Sequence, residues 1–106
     1  MKPLSPDRRK VIDTLLERLA PYEPEKVILF GSYARNESDE LSDVDLVIIK
    51  DTNEDFFSRL RSVLRLLDVN RALDILVYTP TEFEIMKQRG NALIETVLEE
   101  GIVLYG

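Results

Sequence analysis

The sequence predicts one α/β (or α+β) layered domain, and three observations predict it. Short runs of Val, Ile and Leu alternate with segments whose apolar residues recur at helical spacing. The length, 106 residues, suits one domain able to bury a core. No repeat, low-complexity tract or linker interrupts the alternation, so residues 1–106 read as a single unit.

Each element carries its own signal. Ser5-Pro6-Asp7 marks a helix start, with a cap, a proline at the first helical position and an acid in the first turn. Val11, Ile12, Leu15, Leu16 and Leu19 then keep helical spacing until Pro21, which places a helix over 6–20. Lys26–Phe30 and Val44–Lys50 read as the first two strands. Asp51-Thr52-Asn53 offers caps for a helix over 53–67, with Phe56, Phe57, Leu60, Val63, Leu64 and Leu67 on its buried side. Ala72–Tyr78 is a third strand, stopped at Thr79-Pro80. Thr81 with Glu84 predicts a capping box for a short helix. Asn91 caps a last helix, over 91–100, that buries Leu93, Ile94, Val97 and Leu98 and stops at Gly101. Ile102–Tyr105 closes the chain as a strand.

Composition narrows the chemistry. With 44% apolar and 32% charged residues the chain has the profile of a soluble globular protein, and no apolar run is long enough for a bilayer. The N-terminus lacks a signal-peptide core, so the expected compartment is the cytoplasm. There is no cysteine, which excludes disulfides, thiolate metal sites and a cysteine nucleophile. There is no histidine either, so catalysis must use carboxylates, hydroxyls, Lys or Arg, and any metal should be a hard cation held by oxygen. The net charge of −6 argues against direct nucleic-acid binding, and the basic run Asp7–Lys10 reads as a solvated helix face.

The chemistry gathers between Phe30 and Lys50 and again at Asp74. Asp43 and Asp45 lie two apart at the start of a strand, so they project to one side with Cα atoms about 6.5–7 Å apart. Asp45 sits between Val44 and Leu46, and Asp74 sits between Leu73 and Ile75. A carboxylate in such a run is costly unless a partner or a metal neutralises it. Three carboxylates on neighbouring strands, with no histidine, describe an oxygen-rich Mg²⁺ site in which at least one pKa is raised. Gly31-Ser32, at the end of the first strand, permits a close backbone approach, and Ser32 with the amides after it can bind an anion. An anion seat beside three carboxylates makes electrostatic sense with divalent cations between them, as in a nucleoside triphosphate site. Taken singly the parts say less. Asp43 fits a turn, Asp74 fits a buried aspartate satisfied by Arg35 or Arg71, and Arg35 fits a surface ion pair.

Together, Gly-Ser, ten residues, Asp-x-Asp and a later strand aspartate resemble the minimal nucleotidyltransferase (MNT) family of the DNA polymerase beta-like nucleotidyltransferase superfamily. The resemblance spans nearly the whole chain. It implies a small mixed β-sheet with helices packed mainly on one face. It also implies that Asp43 and Asp45 bind two catalytic Mg²⁺ ions, that Asp74 completes the metal site on the acceptor side, and that Gly31-Ser32 contacts the triphosphate of ATP. Asp74 is then also the candidate proton acceptor, and Arg35 either contacts phosphate or braces the loop. One departure is Asn36, where the family usually has Gly; Asn tolerates a left-handed backbone, so the turn is expected to survive. The implied reaction is AMP transfer from ATP to a hydroxyl. The implied partner is a HEPN-domain protein, a toxin modified on tyrosine by its MNT antitoxin, and the assembly is expected to be a homo- or hetero-oligomer. Two alternatives are a small-molecule nucleotidyltransferase completed by a helical subunit and a masking antitoxin without chemistry. The intact aspartate set argues against the latter.

Overall fold

Ser5 opens the first helix as expected. Its hydroxyl accepts a hydrogen bond from the Arg8 amide at 3.3 Å, and Pro6 takes the first helical position. The structure, a computed structural model, describes residues 4–35 and 43–106. Within them the chain runs α1 (Pro6–Leu19), a 3₁₀ turn (Ala20–Tyr22), β1 (Lys26–Phe30), α2 (Gly31–Ala34) and β2 (Val44–Ile49). It continues with α3 (Phe56–Leu67), β3 (Leu73–Tyr78), α4 (Pro80–Gln88), α5 (Ala92–Glu100) and β4 (Ile102–Tyr105). Asn36 lies outside the described residues, so the turn it was expected to preserve is not among them.

The four strands make one mixed sheet in the order β3-β2-β1-β4. β1 is antiparallel to both β2 and β4, while β2 and β3 are parallel and joined by the crossover helix α3. Strand alternation divides the core. Val27, Leu29, Leu46, Ile48, Ile75 and Val77 face Ile12, Leu15 and Leu19 of α1 and Val63 and Leu67 of α3, and this is the larger cluster. The opposite face carries a smaller one, where Ile28, Val47 and Ile49 meet Val97 of α5, with Phe83 of α4 packed alongside. No helix among the described residues is long and apolar enough to cross a membrane.

Two caps fall elsewhere than the sequence suggested. Helix α3 is capped by Asp55, whose side chain accepts from the Ser58 amide at 2.8 Å, and not by Asp51, Thr52 or Asn53. Thr52 instead accepts from the Glu54 amide at 3.1 Å in a local turn that delays the helix. Helix α4 has a complete capping box, but Thr79 and Glu82 form it rather than Thr81 and Glu84. Proline fits the first helical position because it has no N–H to lose, so Pro80 fixes the cap one residue before itself. The buried sides are also narrower than expected. Phe56, Phe57, Leu64 and Leu98 are exposed, while Val63, Leu67, Ile94 and Val97 face inward.

One structural ion pair escaped the sequence reading. Arg59 of α3 is buried, donates to the carbonyls of Glu54 and Val77, and forms a 2.7 Å ion pair with Glu82. That pair joins α3 to α4 beside β3. The hydrogen bonds from Arg59, and next from the Thr79 amide, hold the Glu82 carboxyl below the usual range.

Candidate active site

The site is built by strand register. Antiparallel pairing sets Phe30 of β1 opposite Asp45 of β2, and parallel pairing sets Asp74 of β3 beside Asp45 on the other side. Asp45 therefore stands on an inner strand with Asp74 to one side and the end of β1 to the other. By alternation Asp45 shares the face of Val47 and Ile49, and Asp74 that of Leu76 and Tyr78, so both carboxylates open onto the same face.

Immediately after Phe30 the chain turns at Gly31, whose φ of +78° is the left-handed region that suits glycine. A Cβ there would overlap Oδ2 of Asp45 and lie 3.2 Å from its Cγ. The turn and the carboxylate thus share one small space, and only a residue without a side chain lets them do so. Ser32 follows, half-buried in the single-turn helix α2.

Asp45 is half-buried, whereas Asp43, just before β2, and Asp74, on the edge strand β3, are exposed. The exposure of Asp74 differs from what its apolar sequence neighbours suggested, because an edge strand leaves one flank open. Partial burial pushes the Asp45 carboxyl up to about 6, helped by its hydrogen bond with Asp74 and by repulsion from Asp74 and Asp43. A divalent cation there would relieve that repulsion. Among the described residues no three acidic groups form a ready-made cage. The geometry is a joined pair, Asp45 and Asp74, with Asp43 acting on it through space. All-oxygen donors, excess negative charge and a backbone turn pressed against them fit a hard divalent cation.

Arg35, at the end of α2, pairs with Glu100 of α5 at 2.8 Å and pulls the Asp45 pKa downward. That contact is the surface ion pair the sequence also allowed for Arg35. Arg8, by contrast, is not part of a solvated basic face but is buried against Tyr33. Helical phase is the missed signal: Arg8 lies four, seven and eleven residues before Ile12, Leu15 and Leu19, on the buried stripe, although its partner Tyr33 is 25 residues away.

A mixed sheet that presents strand aspartates beside a Gly-Ser turn is the arrangement of the nucleotidyltransferase fold. Residues 10–106 match the Polymerase beta, Nucleotidyltransferase family, and the chain belongs to it. Over 80 residues it is 39% identical to a Methanocaldococcus jannaschii protein provisionally named a protein adenylyltransferase, covering 76% of this chain and 77% of that one. In three dimensions it resembles a crystal structure of a toxin–antitoxin with AMP-PNP (TM-score 0.61, 20% identity, 89% of this chain and 72% of that one). It also resembles a structure provisionally described as a minimal nucleotidyltransferase (TM-score 0.56, 28% identity, 89% of each chain).

Proposed function

We propose that this protein transfers AMP from ATP to a hydroxyl, that of a tyrosine, on a partner protein, and that it serves as the antitoxin of a HEPN/MNT pair. The observation that carries the reading is the placement of Asp45 between Asp74 and Gly31. It sets a carboxylate pair directly against the turn that would take the triphosphate. The name of the 39% identical relative supports the protein acceptor, and the toxin–antitoxin neighbour with AMP-PNP supports the nucleotide and the partner.

In this reading Gly31 and Ser32 hold the phosphates through backbone N–H groups and the serine hydroxyl. Asp43, Asp45 and Asp74 would hold two Mg²⁺ ions. Bound there, the metal would activate the acceptor hydroxyl and neutralise charge on the departing pyrophosphate. The acceptor oxygen forms its bond to the α-phosphorus as the bond from that phosphorus to pyrophosphate breaks. The hydroxyl proton passes to Asp74, whose exposure on an edge strand leaves it open to a group carried by another chain.

The test incubates the protein and its partner with ATP and MgCl₂ and follows AMP addition to the partner by intact mass. Asp74→Asn removes the proton acceptor and a ligand charge while changing almost no volume. It should slow transfer on the order of 10³-fold or more, with partner binding by pull-down retained. Ser32→Ala should be milder, since the amides of the turn remain. Full protection of cells by Asp74→Asn without added AMP mass would overturn the enzymatic reading in favour of masking.

A further inference from the structure

A buried aromatic ring lies beneath the Gly-Ser turn. Tyr33, the residue after Ser32, is completely buried and is the largest fully buried side chain among the described residues. Two guanidinium groups converge on its ring: Arg8 at 4.6 Å from the centroid and Arg71 at 5.2 Å. Arg8 also donates from Nη1 to the Tyr33 carbonyl at 3.3 Å. It comes from the first turn of α1 and is 5% exposed; Arg71 comes from the lead-in to β3, three residues before Asp74.

An aliphatic side chain would fill the space of Arg8 without desolvating a charge. The guanidinium does two things that an aliphatic cannot. It fixes a main-chain oxygen inside the turn, and it grips the ring through a cation–π contact that strengthens when water is excluded. Tyr33's own N–H is among the amides that follow Ser32, so a fixed Tyr33 fixes the direction of those donors. Arg71 carries the grip toward the strand ends. The next residue, Ala72, accepts from the Val44 amide at 3.2 Å, immediately before Asp45. One buried ring thus links α1, the Gly-Ser turn and the strand openings that present both carboxylates.

We infer that Arg8 and Arg71 are positioning residues for the nucleotide: by clamping Tyr33 they set the Gly31-Ser32 turn in register with Asp45 and Asp74. In this role both arginines act through Tyr33. The inference rests on the proposed reading of that turn as the triphosphate seat.

The test measures binding of ATP with MgCl₂ to the full chain by calorimetry, well below the melting temperature, with folding checked by circular dichroism. Arg8→Met keeps most of the stem packing and removes the charge and the hydrogen bond. ATP affinity should fall about tenfold, the loss of one charge-assisted contact in the turn. Arg71→Met should weaken it several-fold, and Arg8→Lys should recover part of the loss. Thermal stabilisation by MgCl₂ alone should match wild type in every variant, because the three aspartates are untouched; a general structural defect would reduce it too. If wild type binds ATP and folded Arg8→Met binds it equally well, the clamp has no positioning role. Should Arg8→Met fail to fold, Arg71→Met decides, and unchanged affinity there overturns the inference. If wild type itself does not bind ATP, the reading of the turn falls, and this inference with it.

Discussion

Adding one methyl group at Gly31 should uncouple the turn from the carboxylate, and the cost can be worked from the structure. An alanine there bears two penalties. The backbone must stay at φ +78°, which costs a side-chain-bearing residue about 1–2 kcal/mol. The new Cβ must also displace the Asp45 carboxylate, whose Oδ2 it would overlap, an overpacking cost of about 1–3 kcal/mol. Gly31→Ala should therefore destabilise by about 2–5 kcal/mol. In an Asp45→Ala background the Oδ2 and Cγ contacts are gone and only Cβ remains, at an ordinary 3.5 Å, so the same change should cost only the backbone part. The double-mutant cycle, read by urea denaturation at pH 7, should give a coupling of about 1–3 kcal/mol. Because the conflict is steric, the coupling should persist at pH 5, where Asp45 is largely protonated. Additivity within about 0.5 kcal/mol, or a coupling that vanishes at pH 5, would refute the close approach.

The remaining predictions concern the charge on the same carboxylate. The folded pKa of Asp45, about 6, lies above its ordinary 3.8, so the folded state binds the proton more tightly than the unfolded one. That contribution is fully present below about pH 4 and is lost as pH rises through 6. Asp45 is only half-buried, and after solvent screening the loss should be about 1 kcal/mol. Asp45→Asn should flatten this part of the pH–stability profile, and melts at pH 4 and 7 that fall equally in mutant and wild type would remove the assignment. MgCl₂ should raise the melting temperature of wild type at pH 7 by mass action, and Asp45→Asn should abolish the gain while leaving the metal-free protein as stable or more so. Equal stabilisation of both would place the cation elsewhere.

What was legible in the sequence follows what is local. The strands came through within a residue, Val44–Ile49 for the expected 44–50 and Leu73–Tyr78 for 72–78, because apolar runs between turn residues have few other solutions. The caps at Thr79 and Asp55 were misplaced where two candidates lay within a few residues and a proline or a local turn chose between them. Helical spacing marked Phe57 and Leu64 as apolar without saying which arc of α3 the sheet would cover. The burial of Arg8 and Arg59 was signalled only by helical phase, Arg8 on the stripe of Ile12, Leu15 and Leu19 and Arg59 on that of Val63 and Leu67. The charge masks it, because the compensating partners are distant in the chain, Tyr33 for one and Val77 with Glu82 for the other. The three aspartates were visible as anomalies, but their division of labour was not, because it comes from strand order. Asp45 and Asp74 have similar apolar neighbours in sequence. The sheet puts β2 inside and β3 at the edge, so one carboxylate is wedged against Gly31 and the other faces solvent. Under the proposed reading, that asymmetry assigns the enclosed carboxylate to the nucleotide and the open one to the acceptor. On that reading a partner protein would bring its hydroxyl in past the edge of β3.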